Sequence, residues 1–197
     1  MNNLIPFKSS KHGLSETLLK ALKTKGKGYG LVDVIPISAE SIQVAEWVHL
    51  KCRYGCQRYN KSWCCPPATP DPKQVREILR EYNTALILMG RHSSPDFYGR
   101  GTNRRLQQIK CWKGSISLER YLFLEGYYKA FALVGEVCVL CKECSYPAEC
   151  KFPQERRPTV ESFSIDVIGT LQGLGIQTSV AKNLKEAFSY FGIILLH

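Results

Sequence analysis

The sequence predicts an α+β protein: a small mixed sheet with packed helices and two cysteine-rich metal-binding loops. Three observations carry this prediction. Apolar residues recur at helical spacing in several segments, short β-branched or apolar runs lie between them, and nine cysteines fall mainly into two groups, one in each half of the 197-residue chain. With 44% hydrophobic and 22% charged residues the chain has the composition of a packed domain, which excludes the disordered and collagen-like classes.

The elements follow in order. Residues 1–28 are a Lys-rich lead in which Leu14, Leu18, Leu19 and Leu22 keep helical spacing before Gly26 and Gly28. A short basic lead helix is expected there, ahead of a single α+β metal-binding domain at 29–197. Leu31–Ile37 reads as a strand, and Pro36 points to a sheet edge. The first cysteine group follows Val44–Leu50. Asp71 and Pro72 have the signature of an N-cap and a first helical residue, opening a helix to about Tyr82. Ala85–Met89 is a continuous apolar run that suits a buried strand.

Residues 91–113 carry Arg91, Arg100, Arg104, Arg105, Lys110 and Lys113 against the single acid Asp96, with Pro95, Gly99 and Gly101 interrupting them, so a basic exposed loop or short helix is expected. Leu118, Tyr121, Leu122, Tyr128, Phe131 and Ala132 predict a helix over Ser117–Leu133. After the second cysteine group, Val160, Phe163, Val167, Leu171 and Leu174 predict another helix, ended by Gly173 and Gly175. Ile176–Val180 and Gly192–Leu196 read as closing strands around a short helix at Lys182–Tyr190.

The first residues, Met1–Leu19, include polar Asn2 and Asn3 and early Lys8 and Lys11, and do not read as a secretory leader. No run reaches the roughly 18 apolar residues of a membrane helix. A cytoplasmic protein with no membrane contact is expected, in which thiols stay reduced and clustered cysteines bind metal by default. Nine is also an odd number, which argues against a closed disulfide set, although four bridges and one free thiol remain the alternative.

The second group runs Cys138-Val-Leu-Cys141-Lys-Glu-Cys144, with Cys150 after five further residues. Zinc usually takes two short ligand pairs from separate arms, whereas the corners of an iron–sulfur cube suit a C-x-x-C-x-x-C run closed by a fourth cysteine. Cys138, Cys141, Cys144 and Cys150 are therefore expected to hold a 4Fe-4S cluster, with zinc as the alternative metal because thiolate sites for both look alike in sequence. The first group is Cys52-Arg-Tyr-Gly-Cys56, then Tyr59, Trp63 and Cys64-Cys65-Pro66-Pro67. Adjacent cysteines seldom reach one centre, so Cys52, Cys56 and one of Cys64 or Cys65 are expected to ligate a second metal or cluster. Three protein ligands leave a coordination position open to water, substrate or sulfide. Cys111, beside Trp112 and Lys113, has no ligand spacing and is expected to pack as a small hydrophobe.

Taken together, Trp47-Val-His-Leu-Lys-Cys52-Arg-Tyr-Gly-Cys56, Tyr59, Cys65-Pro66-Pro67, Glu119-Arg120, Gly126-Tyr127-Tyr128-Lys129-Ala130-Phe131, the second cysteine group, Arg157-Pro158, Glu161, Ile165-Asp166-Val167 and Tyr190-Phe191-Gly192 form a specific combination. It resembles a family of predicted metal-binding proteins found mainly in anaerobic bacteria and archaea, over roughly Leu31 to the end of the chain. The resemblance implies metal binding, with iron–sulfur chemistry foremost, and supplies no reaction. In one departure, a further cysteine and a glycine often stand in that family where this chain has Phe163 and Ser164. Glu119, Lys129 and Asp166 become proton-transfer candidates through the resemblance alone; as residues they read as structural or solvated.

Other signals are weaker. Lys25-Gly-Lys-Gly-Tyr-Gly30 lacks phosphate-loop spacing, and His12, His49, His92 and His197 form no metal motif, although His49 lies three residues before Cys52 and is placed to tune a centre there. No catalytic triad is assembled. The 27 Lys and Arg against 17 Asp and Glu give a net charge of +10, which suits an acidic redox partner protein or, without a recognised motif, nucleic acid. Arg53, Arg58, Lys142 and Lys151 stand where they offset the negative charge of thiolate centres. Three functions are expected in this order: an electron-transfer or redox accessory protein with one or two clusters, a zinc module contacting nucleic acid or protein, and a redox enzyme built on an open metal site in the first loop.

Overall fold

A computed structural model describes residues 6–11, 13–92, 102–178, 181–183 and 185–197. Parts of several expected features lie outside these: residues 1–5 and His12 of the lead, residues 93–101 of the basic stretch, residues 179–180 of one closing strand, and residue 184. Among the described residues the chain forms five α-helices and four strands in the order α1 Glu16–Gly28, β1 Leu31–Ser38, α2 Glu46–Gly55, α3 Pro72–Leu79, β2 Thr84–His92, α4 Thr102–Leu124, β3 Phe131–Leu133, α5 Val167–Gly173 and β4 Phe188–Leu196.

The strands form one open sheet in the order β1-β2-β4-β3. Every ladder is antiparallel, which corrects the expected mixed sheet: Ile35 faces Ile87, Ile87 faces Ile193, and Leu133 also faces Ile193. The only parallel pairing among the described residues is an isolated bridge from Val134 to Thr159, just beyond β3. Pro36 sits on the edge strand β1, where its missing N–H is tolerated.

Period-two alternation sorts the central strands into two cores. Leu86, Leu88, Ile194 and Leu196 face one side, where they pack with Leu18 and Leu22 of α1 and with Trp112, Ile116, Leu118 and Leu122 of α4. Ala85, Ile87, Ile193 and Leu195 face the other side, with Val75 and Leu79 of α3, Leu171 of α5, and Phe163 and Ile165 from the chain before α5. Burial of both faces explains why Ala85–Met89 reads as a continuous apolar run.

Local chemistry fixes the helix starts. The Ser15 hydroxyl accepts from Leu18 N at 3.2 Å, and Asp71 forms a reciprocal capping box with Gln74, accepting from Gln74 N at 2.9 Å while Gln74 Oε1 accepts from Asp71 N at 3.0 Å. Glu46–Gly55 is α2, where the sequence reading names no element. Within the basic stretch, 102–113 is the first half of α4: Arg104, Lys110 and Lys113 point outward while Gln108, Cys111 and Trp112 are buried. That helix ends at Leu124, not Leu133, because Gly126 takes φ +100° and returns the chain toward β3.

The helix expected over Val160–Leu174 is broken too. A short 3-10 turn at Glu161–Phe163 stops at Ser164, whose φ of +56° lies in the left-handed region, and α5 restarts with Asp166 as its cap, accepting from Gly169 N at 2.8 Å. The closing segment differs as well: residues 176–178 are irregular, and the expected helix at Lys182–Tyr190 gives way to β4, since Ser189 and Tyr190 pair with Arg91 and Gly90. The three carboxylate and amine candidates are structural. Glu119 is buried and accepts from Arg157 and from Ala132 N at 2.7 Å, Lys129 faces Glu81 at 3.8 Å, and Asp166 caps α5.

The Tyr190 ring lies directly against Gly90, and a Cβ there would overlap it. Gly90→Ala should destabilise the protein by about 1–3 kcal/mol through overpacking. A denaturant titration checks this, and a change below about 0.5 kcal/mol, the scale of a neutral surface substitution, would contradict it.

Candidate metal centres

The first cysteine group is built by the end of a helix and the turns after it. Cys52 sits in the last turn of α2 and Cys56 caps its C-terminus, so their four-residue spacing sets both on one side of the helix. The chain then doubles back. Tyr59 N donates to Cys56 O at 3.2 Å, and Asn60, at φ +55°, donates its N–H to Pro66 O at 2.8 Å. Within this loop Ser62 holds the adjacent cysteines: its hydroxyl accepts from Cys64 N and its carbonyl from Cys65 N, both at 3.2 Å. The Pro66–Pro67 bond that follows is cis.

The second group, Cys138 to Cys150, lies in irregular chain after β3. It is fastened from two sides. Arg105 of α4 donates to Val139 O at 3.1 Å and to Leu140 O at 3.2 Å. The first loop reaches it through Trp63 Nε1, which donates to Ala148 O at 2.8 Å, and through Tyr146, whose hydroxyl donates to Asn60 Oδ1 at 3.3 Å and whose ring meets Trp63 edge-on at 5.0 Å.

This docking separates the two neighbouring thiols. Cys64 lines a small hollow together with Cys138, Cys141, Cys144 and Cys150. Its thiol donates to the Cys138 sulfur, which holds Cys138 below the usual thiol range and Cys64 well above it. Arg58 beside Cys138 and Lys151 near Cys141 also favour the thiolates, whereas burial and the neighbouring Cys138, Cys144 and Cys150 push Cys141 up. Cys65 belongs to the other side. Burial pushes its thiol up to about 11, and it feels the charges of Cys56 and Cys52. Cys52 is raised in turn by burial, by Cys56 and by Glu161. Of the 64–65 pair, Cys65 is the thiol that shares its surroundings with Cys52 and Cys56.

The donor sets fit a soft metal: sulfurs only, in two groups, with cationic side chains beside them. Among the described residues no three His, Cys, Asp or Glu side chains already stand in a geometry ready to hold an ion. All nine cysteines are free of disulfides. Cys111 joins neither group. It is buried on α4, accepts a hydrogen bond from the Tyr190 hydroxyl, and is pushed up to about 12 by burial. His49 is absent from the cavity walls that carry the thiols.

Sequence reasoning missed the surroundings of the first group. Cys52 and Cys56 open onto a cavity of 1060 Å³ between α2, the Glu161–Phe163 turn, the start of α5 and β4. Glu161 reaches this space, and the protein enclosing it pushes its carboxyl up to about 7. On the cavity wall, buried Glu136 accepts from Gln108 Nε2 at 3.1 Å and faces His92 Nε2 at 3.4 Å, while His92 stacks on Tyr190 at 4.5 Å. These residues lie far apart in the chain, and only the separate polar exceptions in apolar stretches, such as His92 and Gln108, hint at them in the sequence.

The α+β fold docks two cysteine loops on one another, and the chain is a cysteine-rich protein of this architecture. Residues 35–196 match the family described as "Predicted metal-binding protein (DUF2284)", and the chain belongs to that family. No curated protein and no solved structure matches the chain. No helix among the described residues is long and apolar enough to cross a membrane.

In reduced, metal-stripped protein the exposed Cys56 should be alkylated by iodoacetamide before the buried Cys64, Cys65 and Cys111. A mass-spectrometric time course checks the order. Labelling of Cys111 as fast as Cys56 would contradict the arrangement.

Proposed function

We propose that the chain is an iron–sulfur protein of the cytoplasm that carries single electrons to or from a partner protein. In this reading Cys138, Cys141, Cys144 and Cys150 hold a 4Fe-4S cluster, and Cys52, Cys56 and Cys65 hold a second metal centre. The observation that carries it is the convergence of Cys64 with all four second-loop sulfurs on one hollow, with Arg58 among its lining residues. A tetrahedral zinc takes four donors, usually as two pairs from separate arms; three thiols within one seven-residue run favour the spread corners of a cube. Cys64, as a thiol donating to the Cys138 sulfur, has the role of a hydrogen-bonding neighbour that tunes a cluster's potential.

The exposed face of α2 supports a partner. Trp47, Leu50 and Tyr54 stand in solvent beside Cys52, with the Lys51 ammonium 4.8 Å from the Trp47 ring centre and the Arg53 guanidinium 5.5 Å from that of Tyr54. Aromatic and basic side chains together suit an acidic redox protein. A second reading, a redox enzyme whose open metal position lies in the first loop, is favoured by the cavity onto which Cys52 and Cys56 open.

Isolation without oxygen, followed by iron and acid-labile sulfide analysis, tests the proposal. More than one iron per chain, with sulfide and visible absorption, is the expected result. Cys141→Ser should abolish the signal of one centre and leave the other. Colourless protein containing zinc without sulfide would overturn the iron–sulfur reading in favour of a zinc module.

A further inference from the structure

The cavity beside the first thiol group has the dimensions and the wall chemistry of a small-molecule site. Its 1060 Å³ lies at the upper end of the range for ligand pockets, about 300–1,000 Å³. Aliphatic and aromatic side chains supply most of the wall, among them Trp47, Val48, Val137, Ile165, Ile168 and Phe191. Tyr190 adds a further ring whose polarity is used elsewhere, since its hydroxyl donates to Cys111 and one of its faces stacks on His92. The cavity therefore meets ring carbon.

Its charges are unequal in what they have left to offer. Of the three carboxylates on the wall, Asp166 is engaged as the cap of α5 and Glu136 by Gln108 and His92. Glu161 is the third. Against it stand Lys51, which lies over the Trp47 ring, and Arg58, whose described hydrogen bond goes to the neutral Cys138 carbonyl at 3.5 Å. Both of these adjoin the thiols in sequence and line the same cavity as Cys52 and Cys56, and Arg104 of α4 is a third cation on the wall. Two of the three wall cations thus stand beside the thiols, and apolar side chains make up most of the remainder.

We infer that this cavity binds a small aromatic organic anion, with its acid group toward Lys51 and Arg58 and its ring among Ile165, Ile168 and Phe191. The inference rests on the second reading above only for what the acid group would meet, a metal held by Cys52, Cys56 and Cys65; the binding itself depends on the walls. Burial of a ring against these side chains supplies the affinity, and the two cations supply the preference for an acid over a neutral isostere.

The test is calorimetric titration of protein isolated without oxygen, its iron content measured in the same sample, with 1-naphthoate, 1-naphthalenemethanol and 1-naphthylmethylamine as probes. Naphthoate should bind at least about tenfold more tightly than the alcohol, and the amine more weakly than either. Lys51→Gln should reduce the preference for acid over alcohol, and Ile168→Trp, which fills the cavity from the exposed start of α5, should weaken all binding about tenfold with an unchanged melting curve. Equal affinity for the three probes, no binding at millimolar concentration, or full binding by Ile168→Trp would overturn the inference. Equal affinity in samples with and without metal removes the contact between acid group and metal and leaves the cavity assignment standing, whereas metal-loaded protein that ignores naphthoate removes the cavity assignment alone.

Discussion

The docking of the 57–69 loop against the 138–150 loop is the constraint on which the rest of the site depends. Cys64 and Cys65 are joined by one peptide bond, with Cα atoms about 3.8 Å apart across a trans peptide, and cannot both serve one crowded centre without strain. The Ser62 contacts fix their backbone, and Trp63 and Asn60 tie the loop to Ala148 and Tyr146. With those anchors set, one sulfur turns toward the second loop and its neighbour toward α2. Two sulfur groups separated along the sequence thereby become two halves of one assembly.

The fold serves this docking. The sheet is buried on both faces, so its central strands are insensitive to what happens at the loops beyond their ends, and α4 reaches from the core to clamp the second loop through Arg105. The same strand β4 that completes the sheet carries Tyr190 and Phe191 into the wall of the large cavity. Core, thiol groups and cavity thus share a small number of elements.

Much of this was legible in the chain. Strands at 31–38 and 84–92 follow from β-branched and apolar runs, and Asp71-Pro72 marks the start of α3 because capping is a local interaction. Departures occur where distant residues decide. The basic half of α4 hides its buried stripe because Gln108 occupies a core-facing position as a satisfied polar group, which periodicity in hydrophobicity does not register. The break at Ser164 rests on one left-handed residue, and the extension of β4 to Phe188 rests on pairing with β2. For the site, spacing identified both cysteine groups. Partition of the 64–65 pair depends on contacts with residues far along the chain, as does a cavity walled by several separate segments.

The central claim is that these adjacent sulfurs serve different centres. Metal analysis of Cys64→Ser beside Cys65→Ser tests it most directly. The account predicts that Cys65→Ser loses the metal of the first loop and keeps the cluster of the second, while Cys64→Ser retains both with a shifted potential of the second alone. Loss of the first-loop metal in Cys64→Ser, with Cys65→Ser fully loaded, would contradict it.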